Sequence, residues 1–288
     1  MTVAALLLVV GAAVLQAGWN ALAKRAGEPV LFLWWVGVVA SGFYAPIALA
    51  ALAREGFRAA ATPFVVGTVI LHALYFFSLG RAYAAGDFSL VYPIARGLGV
   101  ALVPMAAFVL FDERLSPLRT LGVILVAAGI FLVHRGLRGR PGAGPPAPRH
   151  RSGTGWALAT GVLIAAYSLL DRAGISRISP LAYIWLMEVG SCVLLAPVAV
   201  ARRDALRGEW RRNRATIVAA ALMSPTAYLL VLFAFQLSKT GYVVAAREMS
   251  IVLSAIIGAA WMNEGAGARR LAGAAVVLAG VACVALAR

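Results

Sequence analysis

Two arginines lie inside long apolar stretches of this chain. Arg96 stands in the segment YPIARGLG, and Arg247 stands in VAAREMSI. A guanidinium carries a rigid fork of N–H donors that matches a carboxylate. At the centre of a membrane helix one charge costs about 2.5–3.5 kcal/mol on insertion scales. We therefore expect both side chains to face the interior of a helix bundle, and one or both of them to bind the carboxylate of a solute. The alternatives are that they reach to the nearer interface, or that Arg247 pairs with Glu188 or Glu248.

An aromatic stripe with one histidine precedes the first of these arginines. His72, Tyr75, Phe76, Leu79 and Tyr83 are spaced by three and four residues, so they share one face of a helix. Such a stripe serves packing as well as recognition. An unpartnered polar ring in lipid is costly, so the histidine favours a lining role. We expect His72 and Tyr75 to line a solute cavity.

Other polar and aromatic residues inside apolar runs complete the candidate site. Tyr92 lies one turn before Arg96, and Tyr167 and Tyr228 are candidates in the second half. Asn20, beside Trp19, bonds either a solute or another helix, and helix packing is favoured. Glu188 either carries a coupling proton or pairs with an arginine, and pairing is favoured. The candidate solute-binding residues are Trp19, Asn20, His72, Tyr75, Tyr92, Arg96, Tyr167, Glu188, Tyr228 and Arg247.

Motifs of catalysis are missing from the sequence. It has no glycine-rich phosphate loop, no HExxH and no aspartate cluster that would hold a metal ion. The two cysteines, Cys192 and Cys283, both lie in apolar runs and are expected to be packing residues. We therefore expect a protein that is not an enzyme, binds no cofactor or metal, and uses a solute or ion gradient rather than ATP.

The composition is that of a membrane protein. Hydrophobic residues make up 62% and charged residues 13% of 288, whereas soluble domains are about half apolar and a quarter charged. The net charge of +15 would suit a nucleic-acid partner. The basic residues instead fall between apolar runs, where cytoplasmic loops accumulate them. We expect no nucleic acid.

Apolar runs long enough to cross a bilayer predict an all-α protein with ten transmembrane helices. One Pro-, Gly- and Arg-rich linker, residues 135–153, divides the chain into 1–134 and 154–288, with five helices each. The predicted spans are 3–23, 29–53, 63–85, 88–110, 117–134, 154–171, 179–201, 214–237, 240–262 and 269–287.

The two halves repeat each other. An odd number of spans per half makes the second half enter the membrane in the opposite sense, and inverted repeats are typical of transporters with a site between the halves. A shift of 151 residues places Arg96 on Arg247, Glu113 on Glu264, Arg119 on Arg270 and Gly122 on Gly273.

Three segments resemble the drug/metabolite transporter superfamily, in particular its EamA-type members. They are GWNALAKRAG, the run from YPIARGLG to AAGIFLV, and AREMSIVLSAIIGAAWMNEG. The resemblance implies two inverted five-helix repeats around a central cavity, lined mainly by helices 1, 3, 4, 6, 8 and 9. It also implies export of aromatic or neutral amino acids, or related metabolites, across the bacterial inner membrane. Gly265 departs from the pattern, because the first repeat has Arg114 there.

Other functions stay open within this resemblance. The chain is alternatively a flippase or assembly subunit for a lipid-linked head group, or a carrier of nucleotide sugars or other metabolites. We expect a small zwitterionic or neutral metabolite and membrane lipid as partners, and a monomer or weak homodimer. Most arginines between helices follow odd-numbered helices, which predicts that those loops are cytoplasmic.

Overall fold

The computed structural model of the protein describes residues 3–111, 116–135, 148–174, 177–237, 247–264 and 267–286. These ranges contain ten α-helices, a short 3-10 helix (Ala59–Ala61) and no β-strand, which confirms the all-α prediction for the described residues. The helices are α1 Val3–Arg25, α2 Pro29–Glu55, α3 Thr62–Ala85, α4 Phe88–Phe111, α5 Pro117–Arg135, α6 Pro148–Gly174, α7 Pro180–Val200, α8 Arg203–Leu237, α9 Ser250–Ala260 and α10 Gly267–Leu286.

Six segments are long and apolar enough to cross a bilayer, which takes about 20 residues. They are Val3–Arg25, Pro29–Glu55, Ala59–Ala85, Ser152–Asp171, Pro180–Val200 and Arg203–Val231. Shorter apolar helical stretches occur at Phe88–Leu102, Pro117–Leu132 and Ser250–Ala260. The helices thus have the lengths and composition of a multi-pass membrane protein.

Local signals place several helix ends where the sequence predicts them. The Ser116 hydroxyl accepts the N–H of Arg119 at 3.3 Å, so it caps the start of α5. After α3 ends at Ala85, the Asp87 carbonyl accepts the N–H of Val91 at 2.9 Å. The connection between α3 and α4 is therefore as short as the sequence predicts.

The eighth helix starts earlier than predicted. It begins at Arg203 rather than at residue 214, but a kink at Asn213 (φ −122°, ψ 15°) separates this first part from the predicted span 214–237. Glu209 is fully buried there and accepts the Glu28 N–H at 3.1 Å and the Asn213 amide at 2.6 Å. The sequence predicted a loop for residues 203–213 because several arginines interrupt the apolar pattern there. The buried Glu209 instead holds it as a helix against α2.

The ninth helix also differs. It was predicted over 240–262, whereas the described helix spans Ser250–Ala260 and follows a turn at Glu248 and Met249. Residues 238–246 lie outside the described ranges. So do residues 136–147 of the linker, whose role as a boundary between two units stays a prediction.

The helices pack in pairs that relate the two halves. α1 packs on α8 and α3 on α6, while α2 packs on α7 and α5 on α10. Replacing each helix by its counterpart five places away in sequence turns the pair α1–α8 into the pair α6–α3. The same replacement leaves the pairs α2–α7 and α5–α10 unchanged. An inverted repeat would produce this pattern of pairs, and the inversion itself stays a prediction.

The α5–α10 contact depends on glycines that occupy equivalent positions in the two halves. A Cβ added at Gly122 would lie 2.7 Å from the carbonyl oxygen of Gly280, and one at Gly129 would lie 2.8 Å from that of Gly273. Only glycine lets the backbones approach this closely, as in other membrane helix pairs with small residues. We call this contact the glycine seam.

Candidate solute-binding site

Arg96 forms a buried ion pair with Glu248. It lies two turns into α4 and is 8% exposed, while Glu248 is 2% exposed. Its Nε donates to Glu248 Oε2 at 3.2 Å, and its Nη2 donates to Oε1. The side chain therefore faces the bundle interior, as expected, and does not reach to an interface. Its carboxylate partner is supplied by the protein itself, whereas the sequence suggested Glu248 only as a partner of Arg247.

Arg247 is half-buried and forms no ion pair within the described ranges. Both Arg247 and Arg96 act electrostatically on the phenols of Tyr92 and Tyr167. Arg247 also acts on Tyr228. Arg96 is held by Glu248, whereas Arg247 has no ion pair among the described residues.

The aromatic stripe of α3 packs on α6. The ring centroid of Tyr167 lies 4.1 Å from that of His72 and 5.5 Å from that of Tyr75. His72 Nδ1 lies 2.9 Å from the Thr68 hydroxyl oxygen, and His72 is 6% exposed. His72 and Tyr75 are thus buried where α3 packs on α6, and their role in lining a solute cavity stays a prediction. The structure brings together seven residues, here called the central cluster: His72, Tyr75, Tyr92, Arg96, Tyr167, Arg247 and Glu248.

Hydrogen bonds tie the central cluster to the turn before α9. The Tyr92 hydroxyl donates to the Ser250 hydroxyl oxygen at 3.0 Å. Ser250 and Glu248 were not predicted as site residues. The signal available was their position beside Arg247, within the segment that repeats the surroundings of Arg96.

Trp19 and Asn20 lie on α1 and are buried. Asn20 Oδ1 accepts the Tyr83 hydroxyl at 2.6 Å, and its Nδ2 donates to the Gln16 carbonyl at 2.7 Å. Asn20 therefore packs helices together, the favoured of its two predicted roles. Trp19 Nε1 has no hydrogen-bond partner in the described part of the chain.

Charged side chains join helix ends on one side of the bundle. Glu264 accepts the N–H groups of Phe88 and Ser89 at 2.6 and 2.9 Å, which caps the start of α4. Arg270 pairs with Asp87 at 2.7 Å. Glu264 therefore acts both as a helix cap and as a partner of Arg270. We call this group the end cluster, and it holds α3, α4 and α10 together on this side.

Glu188 lies apart from the arginines. It lines a cavity between α2, α7 and α8 together with Tyr228, and its Oε2 has no hydrogen-bond partner among the described residues. The favoured prediction, an ion pair with an arginine, is wrong for the described arginines. Of the three helices around this cavity, only α8 is among the six expected to line a central one.

Comparisons with known proteins match both halves of the chain. The EamA-like transporter family matches residues 151–286, and the Small Multidrug Resistance protein family matches residues 33–126. Curated relatives include the spermidine export protein MdtI of Salmonella paratyphi B and that of Salmonella newport. Each is 34% identical over 79 residues, which are 27% of this chain and 71% of the relative.

A solved crystal structure has a similar fold. The similarity has a TM-score of 0.53 with 18% sequence identity, and it covers 99% of this chain and 97% of the other. At this identity it bears on the fold alone. The similarity extends over both halves of the chain, including the segments that the curated relatives do not cover.

Proposed function

We propose a transport function from the premise that the chain belongs to the drug/metabolite transporter superfamily, with a first half like the small multidrug resistance proteins and an EamA-like second half. The chain is a small-molecule transporter. In our proposal it is a secondary transporter that exports small zwitterions with apolar side chains, aromatic or neutral amino acids above all. Export crosses the bacterial inner membrane by alternating access between two inverted repeats.

The observation that carries this proposal is the position of Arg247. It is a half-buried guanidinium without an ion pair in the described ranges, within electrostatic reach of Tyr92, Tyr167 and Tyr228. A guanidinium binds a carboxylate through a fork of charge-assisted hydrogen bonds. Aromatic faces beside it suit an apolar or aromatic side chain. An amino acid presents both groups.

Arg96 has a different role in this proposal. Its fork is occupied by Glu248, so it holds the turn before α9 against α4 and positions Arg247 next in sequence. A solute carboxylate therefore binds Arg247, and Arg96 contributes through its position rather than by contact.

Spermidine, the cargo named for the curated relatives, is less well matched to the central cluster. A polycation needs free carboxylates. Glu248 is engaged by Arg96, and Asp171, which acts electrostatically on Tyr167, accepts the Tyr183 hydroxyl at 2.8 Å. The charge left available in this region is that of Arg247, which would repel a polyamine.

The experiment is counterflow in liposomes with purified full-length protein and labelled amino acids, with spermidine and a nucleotide sugar as further solutes. Arg247→Gln should weaken apparent affinity for the transported amino acid. A hydrogen bond to a charged group contributes about 1.5–3 kcal/mol, and each 1.4 kcal/mol is about tenfold, so KM should rise at least tenfold. The matched control is Arg207→Gln, which removes an exposed arginine. An unchanged KM in Arg247→Gln, or counterflow of spermidine alone, would refute the proposal.

A further inference from the structure

The first part of α8, residues 203–213, is longer than a bilayer needs. The 35 residues of α8 would measure about 52 Å as one straight helix, whereas the hydrocarbon core is about 30 Å thick. The kink at Asn213 separates residues 203–213 from the predicted span. We call residues 203–213 the surface segment.

Contacts with α2 show that the surface segment bends back toward the membrane. Its Glu209 accepts the N–H of Glu28, just before α2 begins. In a straight continuation of α8, Leu206 would lie farther from the bilayer than Glu209. Instead the Leu206 carbonyl oxygen accepts the Trp35 Nε1–H at 3.1 Å, well inside α2, and Leu206 packs in one buried cluster with Leu31. The surface segment therefore lies across the first turns of α2.

The first turns of α2 lie at the level of the lipid head groups. α2 has 27 residues, about 40 Å at 1.5 Å per residue, so its ends extend beyond a hydrocarbon core of about 30 Å. The ring centroid of Trp210, in the surface segment, lies 4.8 Å from that of Trp35. Tryptophan is enriched at this interface. The surface segment is thus a fixed part of the fold at the membrane surface.

The exposed side of this region carries arginines next to two membrane spans. Arg203 follows shortly after α7 ends at Val200, and Arg211 and Arg214 flank the kink. All three are exposed, and none forms an ion pair with a described residue. We call them the juxtamembrane arginines.

Positive charge is in excess around the juxtamembrane arginines. Residues 202–214 contain six arginines but only two acidic residues, Asp204 and Glu209. Glu209 is fully buried and accepts the Glu28 N–H and the Asn213 amide, so it does not neutralise the exposed side chains. The region therefore suits an anionic partner.

The level of the surface segment defines the chemistry of that partner. A guanidinium binds phosphate through a fork of charge-assisted hydrogen bonds. In the head-group layer the phosphates are those of phospholipids, whereas a nucleic acid or an acidic protein would have to approach from the aqueous phase. Basic side chains beside a span attract anionic lipids, and each strengthens binding about fivefold.

We propose that the juxtamembrane arginines bind the phosphate groups of anionic phospholipids in the surrounding leaflet. Arg211 and Arg214 form one phosphate site beside the kink, and Arg203 binds a second phosphate beside the end of α7. Bound lipid holds the surface segment to the bilayer between these two spans. The site does not depend on which solute the protein carries.

Native mass spectrometry of the purified full-length protein in detergent micelles tests this by measuring the apparent Kd of added lipids. Phosphatidylglycerol is the anionic probe. Phosphatidylcholine carries the same phosphodiester without net charge. We expect phosphatidylglycerol to bind at least tenfold more tightly, because two arginines at one phosphate each contribute about fivefold. This comparison uses the wild type and so does not depend on how variants fold.

Variants then locate the site. Arg211→Gln combined with Arg214→Gln should weaken phosphatidylglycerol binding at least tenfold and leave the unfolding temperature unchanged, since both side chains are exposed. The matched control, Arg54→Gln combined with Arg58→Gln, also removes two exposed arginines, but these lie at the end of α2 beside the exposed Glu55. The control should bind phosphatidylglycerol as the wild type does.

Three results would overturn the proposal. They are equal binding of the two lipids, wild-type affinity for phosphatidylglycerol in the Arg211 and Arg214 double variant, and displacement of phosphatidylglycerol by an equal concentration of inorganic phosphate or of a short oligonucleotide. The last result would make a soluble anion the ligand. This assay contains no transported solute, so its failure leaves the counterflow test of Arg247 standing, and the reverse also holds.

Discussion

Glu248→Gln should strongly destabilise the protein, because it leaves the Arg96 guanidinium buried without a counter-charge. The side chains of the pair are only 10% and 3% exposed, and two hydrogen bonds join them. Removing one partner of a buried pair costs about 3–5 kcal/mol. Glutamine can accept one of the two N–H groups but turns its own amide N–H toward the guanidinium. We therefore expect a loss near the lower end of that range.

The assay is denaturation of the purified protein in mixed micelles, followed by tryptophan fluorescence, since the chain has seven tryptophans. The control is Arg202→Gln. Arg202 pairs with Glu28 at 2.6 Å, but those side chains are 47% and 34% exposed. Exposed pairs contribute about 0–1 kcal/mol, so this variant should remain close to the wild type.

A double variant separates the pair from its surroundings. Arg96→Met with Glu248→Met removes both charges, so it should be less destabilised than Glu248→Met alone. If Glu248→Gln loses no more stability than Arg202→Gln, or if the two methionine substitutions are additive, the buried pair does not exist as described.

The glycine seam and the membrane orientation give two more expectations. Gly280→Leu should lower the unfolding temperature, because even a Cβ at this position would lie 2.6 Å from the Gly122 carbonyl oxygen, and overpacking costs about 1–3 kcal/mol. The control is Gly155→Leu, which should leave the unfolding temperature unchanged because a Cβ at Gly155 has no neighbour within 4 Å. A single cysteine is placed at Arg207, in a chain without its two native cysteines. It should not react with an impermeant thiol reagent in intact cells but should react in inside-out vesicles, because segments rich in arginine beside membrane spans are cytoplasmic.

Each of these two expectations has an outcome that would contradict it. Equal unfolding temperatures for the two leucine variants would show that α5 and α10 do not meet through their backbones. Labelling of the Arg207 cysteine in intact cells would show the opposite orientation, with the inside-out vesicles serving as the reference for full reactivity.

Helix positions could be predicted well because they depend on short-range chemistry. Apolar runs of span length and prolines at helix starts, such as Pro29, Pro117 and Pro180, mark the ends locally. The interior position of Arg96 was predictable for a related reason, since a buried guanidinium must have a partner. These arguments require no knowledge of which helices meet.

The partners themselves could not be predicted. Glu248 is adjacent to Arg247 in sequence, which suggested that those two side chains pair, but the turn before α9 directs the carboxylate to Arg96 on α4. Similarly, Glu188 faces small residues of α2, where a Cβ added at Gly37 would lie 3.3 Å from its Oε2. Only the packing of α2 on α7 determines that no arginine reaches it.

The glycine seam has a mechanical consequence for the alternating access that we propose. Where backbones touch, with Gly122 and Gly280 facing each other's carbonyl oxygens, there is no layer of flexible side chains that could absorb sliding. α5 and α10 touch in this way at two places, Gly122 with Gly280 and Gly129 with Gly273, so they are held against shearing past each other. We expect the interface between α5 and α10 to stay fixed during the transport cycle. The larger displacements then occur at the side-chain interfaces of α1 with α8 and of α3 with α6. A cross-link between α5 and α10 should therefore leave transport active, whereas a cross-link between α3 and α6 should stop transport.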